Sequence, residues 1–146
     1  MSEKSDLYNR IDQCNAEIAV IRSDIAGMEN EKVVTQGHIN TFTAERDTNI
    51  AYDISAGDTW RRQLCEAAKE IQKNITEGYS VAIDNANNVY ADLCGCIANA
   101  NQMIRNLEDE IGRCRARIAQ IEAEEAAEAA RRAAEAAAYR ASLAAR

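Results

Sequence analysis

The chain contains no proline, and only six of its 146 residues are glycine. Those two residue types punctuate loop-rich and β-rich folds, so their scarcity excludes such folds and leaves long, uninterrupted helices. Aromatic residues make up 5% of the total, with a single phenylalanine and a single tryptophan. That disfavours a thick globular core and favours helix-on-helix seams built from aliphatic residues and alanine. No stretch approaches the roughly 20 consecutive apolar residues that a membrane span requires. Residues 1–10 lack the apolar core and small-residue cleavage site of a secretory signal, so the expectation is a cytoplasmic chain without a signal peptide. There is also no cluster of lysine and arginine, and the formal charge is −7, which excludes nucleic acid as the expected partner because phosphate binding needs concentrated positive charge.

What is present is periodic. Leu7, Ile11, Cys14, Ile18, Ile21, Ile25 and Met28 follow a 4-3 spacing that resumes, after Lys32 and Thr35, at Ile39 and Phe42. A heptad line held for about five repeats predicts supercoiled packing against another helix. Residues 47–57 mix Asn49, Asp53, Ser55 and Gly57, residue types that compete with helical backbone bonding or tolerate turn geometry. The expected layout is therefore helix 1 over about 3–46, a turn at 47–57, and helix 2 from 58, with Ser55 and Asp58 placed to cap its start. Helix 2 carries an apolar line through Trp60, Leu64, Ala67, Ile71, Ile75, Gly78, Ala82, Ala86, Val89 and Leu93. It continues in strict heptads through Ile97, Ala100, Ile104, Leu107, Ile111, Cys114, Ile118 and Ile121. Residues 122–146 form an alanine-rich tail, helical by propensity and short of large apolar residues, expected to dock weakly. The predicted fold is all-α: a long antiparallel helical hairpin over 1–121, coiled-coil-like, with an extended C-terminal helix.

Helix lengths turn this pattern into a functional expectation. A turn centred near Ile54 sets residues whose numbers add to about 108 opposite one another, because both helices rise equally per residue. Cys14 then falls near Cys94, a pairing that permits a disulfide under oxidising conditions, and Gly78, Ala82 and Ala86 admit Ile25 and Met28. On this alignment helix 1 stops covering helix 2 near residue 105. Leu107, Ile111, Cys114, Ile118 and Ile121, with Ile104 just before them, then keep heptad register with nothing in the chain to bury them. Burying such side chains is worth about 1.5–3 kcal/mol each, so the line is expected to bind a partner helix. The competing expectation is a break at Gly95 or Gly112 that folds helix 2 back as a third helix.

Sites for chemistry are sparse. The five cysteines are odd in number and scattered, which reads as free thiols. Cys94 and Cys96 are the one close pair, and two positions apart on a helix their thiols diverge. With a single histidine, His38, a zinc site lacks ligands, and His38 has no neighbouring nucleophile and reads as a surface residue. No glycine-rich phosphate loop is present, so neither catalysis nor a cofactor is expected. Trp60, at the predicted start of helix 2, reads either as a plug packed on Phe42 or Ile50 or as an interface anchor.

The junction Ile54-Ser55-Ala56-Gly57-Asp58-Thr59-Trp60, following a heptad first helix that opens at Leu7-Tyr8, resembles the WXG superfamily of helical hairpins, and more closely its YwqH-like branch. The resemblance covers about residues 5–121. At the position two residues after the tryptophan, where the family pattern has glycine, this chain has Arg62. The C-terminal export signal of the superfamily, a tyrosine followed four residues later by an acid, is not matched, since Tyr139 is followed by Leu143. The resemblance implies a non-catalytic adaptor that binds the N-terminal helical domain of an LXG-type toxin for type VII secretion, alone or with a second small helical protein, and that is exported with that partner if at all. The alternative expectation is a structural coiled coil that forms a homodimer through the same line.

Overall fold

The 4-3 line of the first helix decides how the chain closes. The structure, a computed structural model that describes residues 2–55 and 62–146, contains two helices, α1 (Glu3–Ala51) and α2 (Arg62–Ala144), packed antiparallel as a helical hairpin. The Ser2 hydroxyl caps α1 by accepting from the Ser5 amide at 3.1 Å, and Glu3 and Asp6 lie in its positively polarised first turn. The turn of residues 47–57 begins later than expected, because α1 continues through Asn49 to Ala51. Its end is held from α2: the Gln72 side-chain amide donates to the carbonyls of Asn49 at 2.6 Å and Tyr52 at 2.8 Å, satisfying acceptors that a helix terminus leaves unpaired. The expected capping of helix 2 by Ser55 and Asp58 reaches outside the described residues, where the turn residues Gly57 and Trp60 also lie, whereas Arg62 is the first residue of α2. Neither Gly78, Gly95 nor Gly112 ends α2, which rules out the third helix among the described residues. No helix there is long and apolar enough to cross a membrane.

The contacts divide into two compact units, Met1–Ile21 with Gln102–Arg146, and Arg22–Asn101. In the first, the terminal unit, α1 buries Ile11, Cys14 and Ile18 against Ile104, Ile111, Cys114 and Ile118 of α2, with Leu7, Leu107 and Ile121 half-buried. This corrects the expectation that residues 104–121 lack an intramolecular mate: α1 covers them. The error was in the register. Facing pairs have numbers adding to 120, as for Arg10 with Glu110, or to 129, as for Lys4 with Glu125, and not to about 108. With α1 helical to Ala51, the point about which the chain reverses moves later in sequence, and every α1 residue meets a later part of α2. Cys14 accordingly packs near Glu110 and Cys114, and burial pushes its thiol pKa up, while Cys94 belongs to the other unit and is exposed. The Cys14 to Cys94 pairing is thereby withdrawn.

Charged residues flank this seam. Arg10 grips Glu110 with two bonds, at 2.6 and 2.9 Å, and Arg117 grips Glu3 at 2.8 and 3.1 Å. Lys4 reaches Glu125 at 3.2 Å and Glu122 at 3.7 Å. Paired guanidinium and carboxylate groups of this planar, two-bond kind fix position better than single contacts do.

Two outcomes follow from this packing. Ile18→Ala or Ile111→Ala should destabilise the chain by about 2–4 kcal/mol, read as a lower urea midpoint at unchanged slope, whereas Val33→Ala, at an exposed site, should change it by less than about 0.5 kcal/mol; equal effects at the two kinds of site contradict the assigned seam. Hydrogen bonds from Arg10 and Arg117 hold the Glu110 and Glu3 carboxyls below their ordinary value of 4.5. A carboxyl depressed on folding contributes stability that is fully present above its unfolded value and is lost as pH falls through the depressed one. The melting temperature should therefore drop as pH falls below about 4.5, and Glu110→Gln should flatten that fall; an unchanged profile contradicts the pairing.

Candidate interaction surface

In the second unit, of residues 22–101, the heptad line of α1 runs on through Lys32, Thr35, Ile39, Phe42, Arg46 and Asn49, all buried or half-buried. Lys32 and Thr35 are therefore part of the seam and do not interrupt it. The Lys32 ammonium lies 5.4 Å from the centre of the Tyr90 ring, a cation resting on an aromatic face, and Thr35 is buried. Closer to the turn the seam is polar. The Asn49 side chain donates to the Gln72 carbonyl at 3.1 Å and to the Thr76 hydroxyl at 2.9 Å.

The α2 residues that meet this line are Gln72, Thr76, Tyr79, Ile83, Ala86, Tyr90, Leu93, Ile97 and Ala100. This differs from the line expected from hydrophobicity. Leu64, Ala67, Ile71, Ile75, Gly78 and Val89 are exposed, at 55% for Leu64, 60% for Ile71, 44% for Ile75 and 50% for Val89. The reason is phase. Counting back from Leu93 in steps of three and four arrives at Tyr90, Ala86, Ile83, Tyr79 and Thr76, one residue after each of Val89, Ala82, Gly78 and Ile75 wherever the two lines run side by side. The two lines are about 100° apart around the helix, and α1 can cover only one of them.

The uncovered line borders a cleft. One part of it, of about 560 Å³, is lined by Ala44, Glu45, Thr48, Asn49, Tyr52, Ile75 and Tyr79. A second part, of about 300 Å³, shares Ile75 and Tyr79 and adds Phe42, Gly78 and Ala82. Phe42 packs on His38 with ring centres 6.1 Å apart and on Tyr79 at 6.5 Å, so the exposed histidine serves as an aromatic neighbour. The Tyr79 hydroxyl is hydrogen-bonded to Glu45, which raises its pKa. A Cβ added at Gly78 would meet nothing within 4 Å, so the close approach of Ile25 or Met28 expected there does not occur and the notch stays open.

Charge is unevenly spread along this unit: Glu66, Lys69, Glu70, Lys73, Glu77 and Asp84 are interspersed with the exposed line. From residue 85 to residue 104 of α2 the one charged side chain is Asp92, and residues 33–44 of α1 carry none. Among the described residues no three of histidine, cysteine, aspartate and glutamate are placed to hold a metal ion. The residues proposed from the sequence for partner binding, Ile104, Leu107, Ile111, Cys114, Ile118 and Ile121, thus lie in the closed seam of the other unit. The exposed line at 64–89 was visible in the sequence as an apolar repeat but was assigned to the buried face; continuing the strict heptads backward from Leu93 is the signal that separates the two.

Replacing Ile71 and Ile75 together by Gln should leave stability within about 0.5 kcal/mol per site, as for exposed positions, and should lower binding of a dye that reports apolar surface. A loss of several kcal/mol places these side chains in the core and overturns the assignment. Comparison of the chain with protein-family models, with curated proteins and with solved structures found no match.

Proposed function

We propose that the chain is a non-catalytic adaptor that binds a helical protein through the exposed apolar line of residues 64–89. The observation that carries this reading is the line itself. Leu64, Ile71, Ile75, Ala82 and Val89 repeat at intervals of seven, four, seven and seven residues, the pattern that a second helix covers. The open notch at Gly78 and Ala82 admits a bulky side chain from the partner. Leaving four large aliphatic side chains in water forgoes about 1.5–3 kcal/mol for each that a partner would bury fully.

The resemblance of the junction at residues 54–60 to the WXG superfamily supplies the partner in this proposal: the N-terminal helical domain of an LXG-type toxin destined for type VII secretion. The docking face moves from residues 104–121 to residues 64–89, because the former are closed by α1. A second reading, a self-associating structural coiled coil, is favoured by a separate observation, the uncovered alanine face of the C-terminal part of α2.

Produced together with an LXG-type N-terminal domain, the chain should co-purify with it as a heterocomplex. Ile71→Asp plus Ile75→Asp should weaken that complex at least tenfold while leaving helix content unchanged. Undiminished binding by the double variant removes the proposed face, and absence of any complex with the wild-type chain removes the proposed partner. Leu107→Asp plus Ile111→Asp should instead unfold the terminal unit and so reports on folding.

A further inference from the structure

The exposed line of α2 fits its own reverse. Written out at unbroken 4-3 spacing it runs Leu64, Ala68, Ile71, Ile75, Gly78, Ala82, Asn85 and Val89. In an antiparallel pair of helices, facing positions have numbers of constant sum, because both rise equally per residue. Reversal about the midpoint of the line, where facing numbers add to 153, sets Leu64 against Val89, Ala68 against Asn85, Ile71 against Ala82 and Ile75 against Gly78. The central layers thus pair a large side chain with a small one, as interdigitated cores do. A parallel pairing sets Ile71 on Ile71, Ile75 on Ile75 and Gly78 on Gly78, which crowds two layers and empties a third.

The space that receives Ile75 is already formed. A side chain at the contact between two paired helices packs into a hole bounded by four residues of the facing helix. In this register the hole for Ile75 is made by Ile75, Gly78, Tyr79 and Ala82 of the second copy. The part of the cleft of about 300 Å³ is lined by those four residues together with Phe42. Nothing within the chain stands where a Cβ of Gly78 would be. The seam with α1 lies about 100° around α2 from this line, so α1 flanks the contact without blocking it.

The columns directly beside the line carry no charge. One runs through Gln72 and Tyr79 and the other through Asn74 and Val81, and reversal brings Asn74 beside Val81, which is 58% exposed in the single chain. Glu70, Glu77 and Asp84 stand farther out, where they meet their counterparts only across the rim. Charges separated by more than the roughly 8 Å screening length of physiological salt interact weakly there.

We infer that residues 64–89 of α2 pair antiparallel with the same residues of a second copy of this chain, Ile75 of each seated at Gly78 of the other. Such a contact is two-fold and closes on itself. It rests on the same exposed line as the adaptor reading and not on the identity of the partner in that reading. The homodimer is then the form that a partner helix must displace.

Sedimentation equilibrium of the full chain alone should show a monomer–dimer equilibrium. Ile75→Ala, which leaves the hole empty, and Gly78→Leu, which fills it, should each raise the dissociation constant at least tenfold. Combined in one chain they restore a large residue facing a small one with the roles exchanged, and should return the constant to within about threefold of the original. Helix content by circular dichroism should hold in all three, since residue 78 has open space in the single chain. A photo-reactive benzoylphenylalanine in place of Asn88 should capture residues near Ala67 of the second copy. A chain that stays monomeric at all concentrations, a double variant no tighter than the single ones, or capture centred on residue 88 overturns the inference. A dimer of this register in a chain that binds no LXG-type domain supports the inference and counts against the adaptor reading alone. A monomer that binds such a domain overturns the inference and leaves the adaptor reading standing.

Discussion

A helix can turn only one face toward a single partner, and on α1 the 4-3 line leaves no choice about which face that is. From Leu7 to Asn49 the line holds its phase through apolar and polar residues alike. Within residues 22–101 the strict heptads of α2 at Leu93, Ile97 and Ala100 match it, and that match sets the rotation of this part of α2 about its axis. Toward the turn the same rotation delivers Tyr79, Thr76 and Gln72 to the seam and carries Ile75, Ile71 and Leu64 out of it. The exposed apolar line is therefore a consequence of the seam's continuity. Burying it would require this part of α2 to rotate by about one residue, roughly 100°, and would bring Ile83, Ile97 and Ala100 out into water.

Polar residues at the seam make this arrangement specific. Asn49, Gln72 and Thr76 satisfy one another and the end of α1 through bonds of 2.6–3.1 Å. A slip by one heptad leaves these groups facing apolar neighbours, so each half-buried donor or acceptor loses its partner at a cost of about 1–3 kcal/mol. Stability gained per residue is lower here than in an all-aliphatic seam, and register is better defined. Polar seam positions in coiled coils have the same two effects.

Most of the fold was legible in the sequence because periodicity survives without knowledge of the partner: the absence of proline and the spacing from Leu7 to Phe42 mark α1, and the distal heptads mark α2. Two features were not legible from local patterns. Asn49 reads as a helix breaker until Gln72 and Thr76, more than twenty residues away, are seen to bond it. Ending α1 too early then displaced the whole facing register, and that displacement made residues 107–121 look uncovered. Hydrophobicity also selected the wrong line at residues 64–89, because a more apolar line competes with a polar one that has the correct phase. Residues 57 and 60, central to the resemblance, lie outside the described residues.

The two units are held by different forces, and this bears on where binding capacity resides. In the terminal unit the aliphatic seam is closed and framed by arginine and carboxylate pairs from Arg10 to Glu110 and from Arg117 to Glu3. In the other unit hydrogen bonds carry the seam near the turn, and the large apolar side chains of Leu64, Ile71, Ile75 and Val89 stay in water. The described glycines add to the contrast between what folding needs and what the sequence carries. Gly27, Gly37, Gly78, Gly95 and Gly112 sit inside helices, and a Cβ at each would have open space. Glycine costs about 1 kcal/mol relative to alanine inside a helix, and packing within the chain does not require it at any of these sites. Gly78 is the one that borders the apolar cleft beside Ile75 and Ala82, where a missing side chain deepens the surface a partner helix would meet. The hairpin itself would be more stable with alanine at this position, so the notch is a feature of the surface and not of the seam.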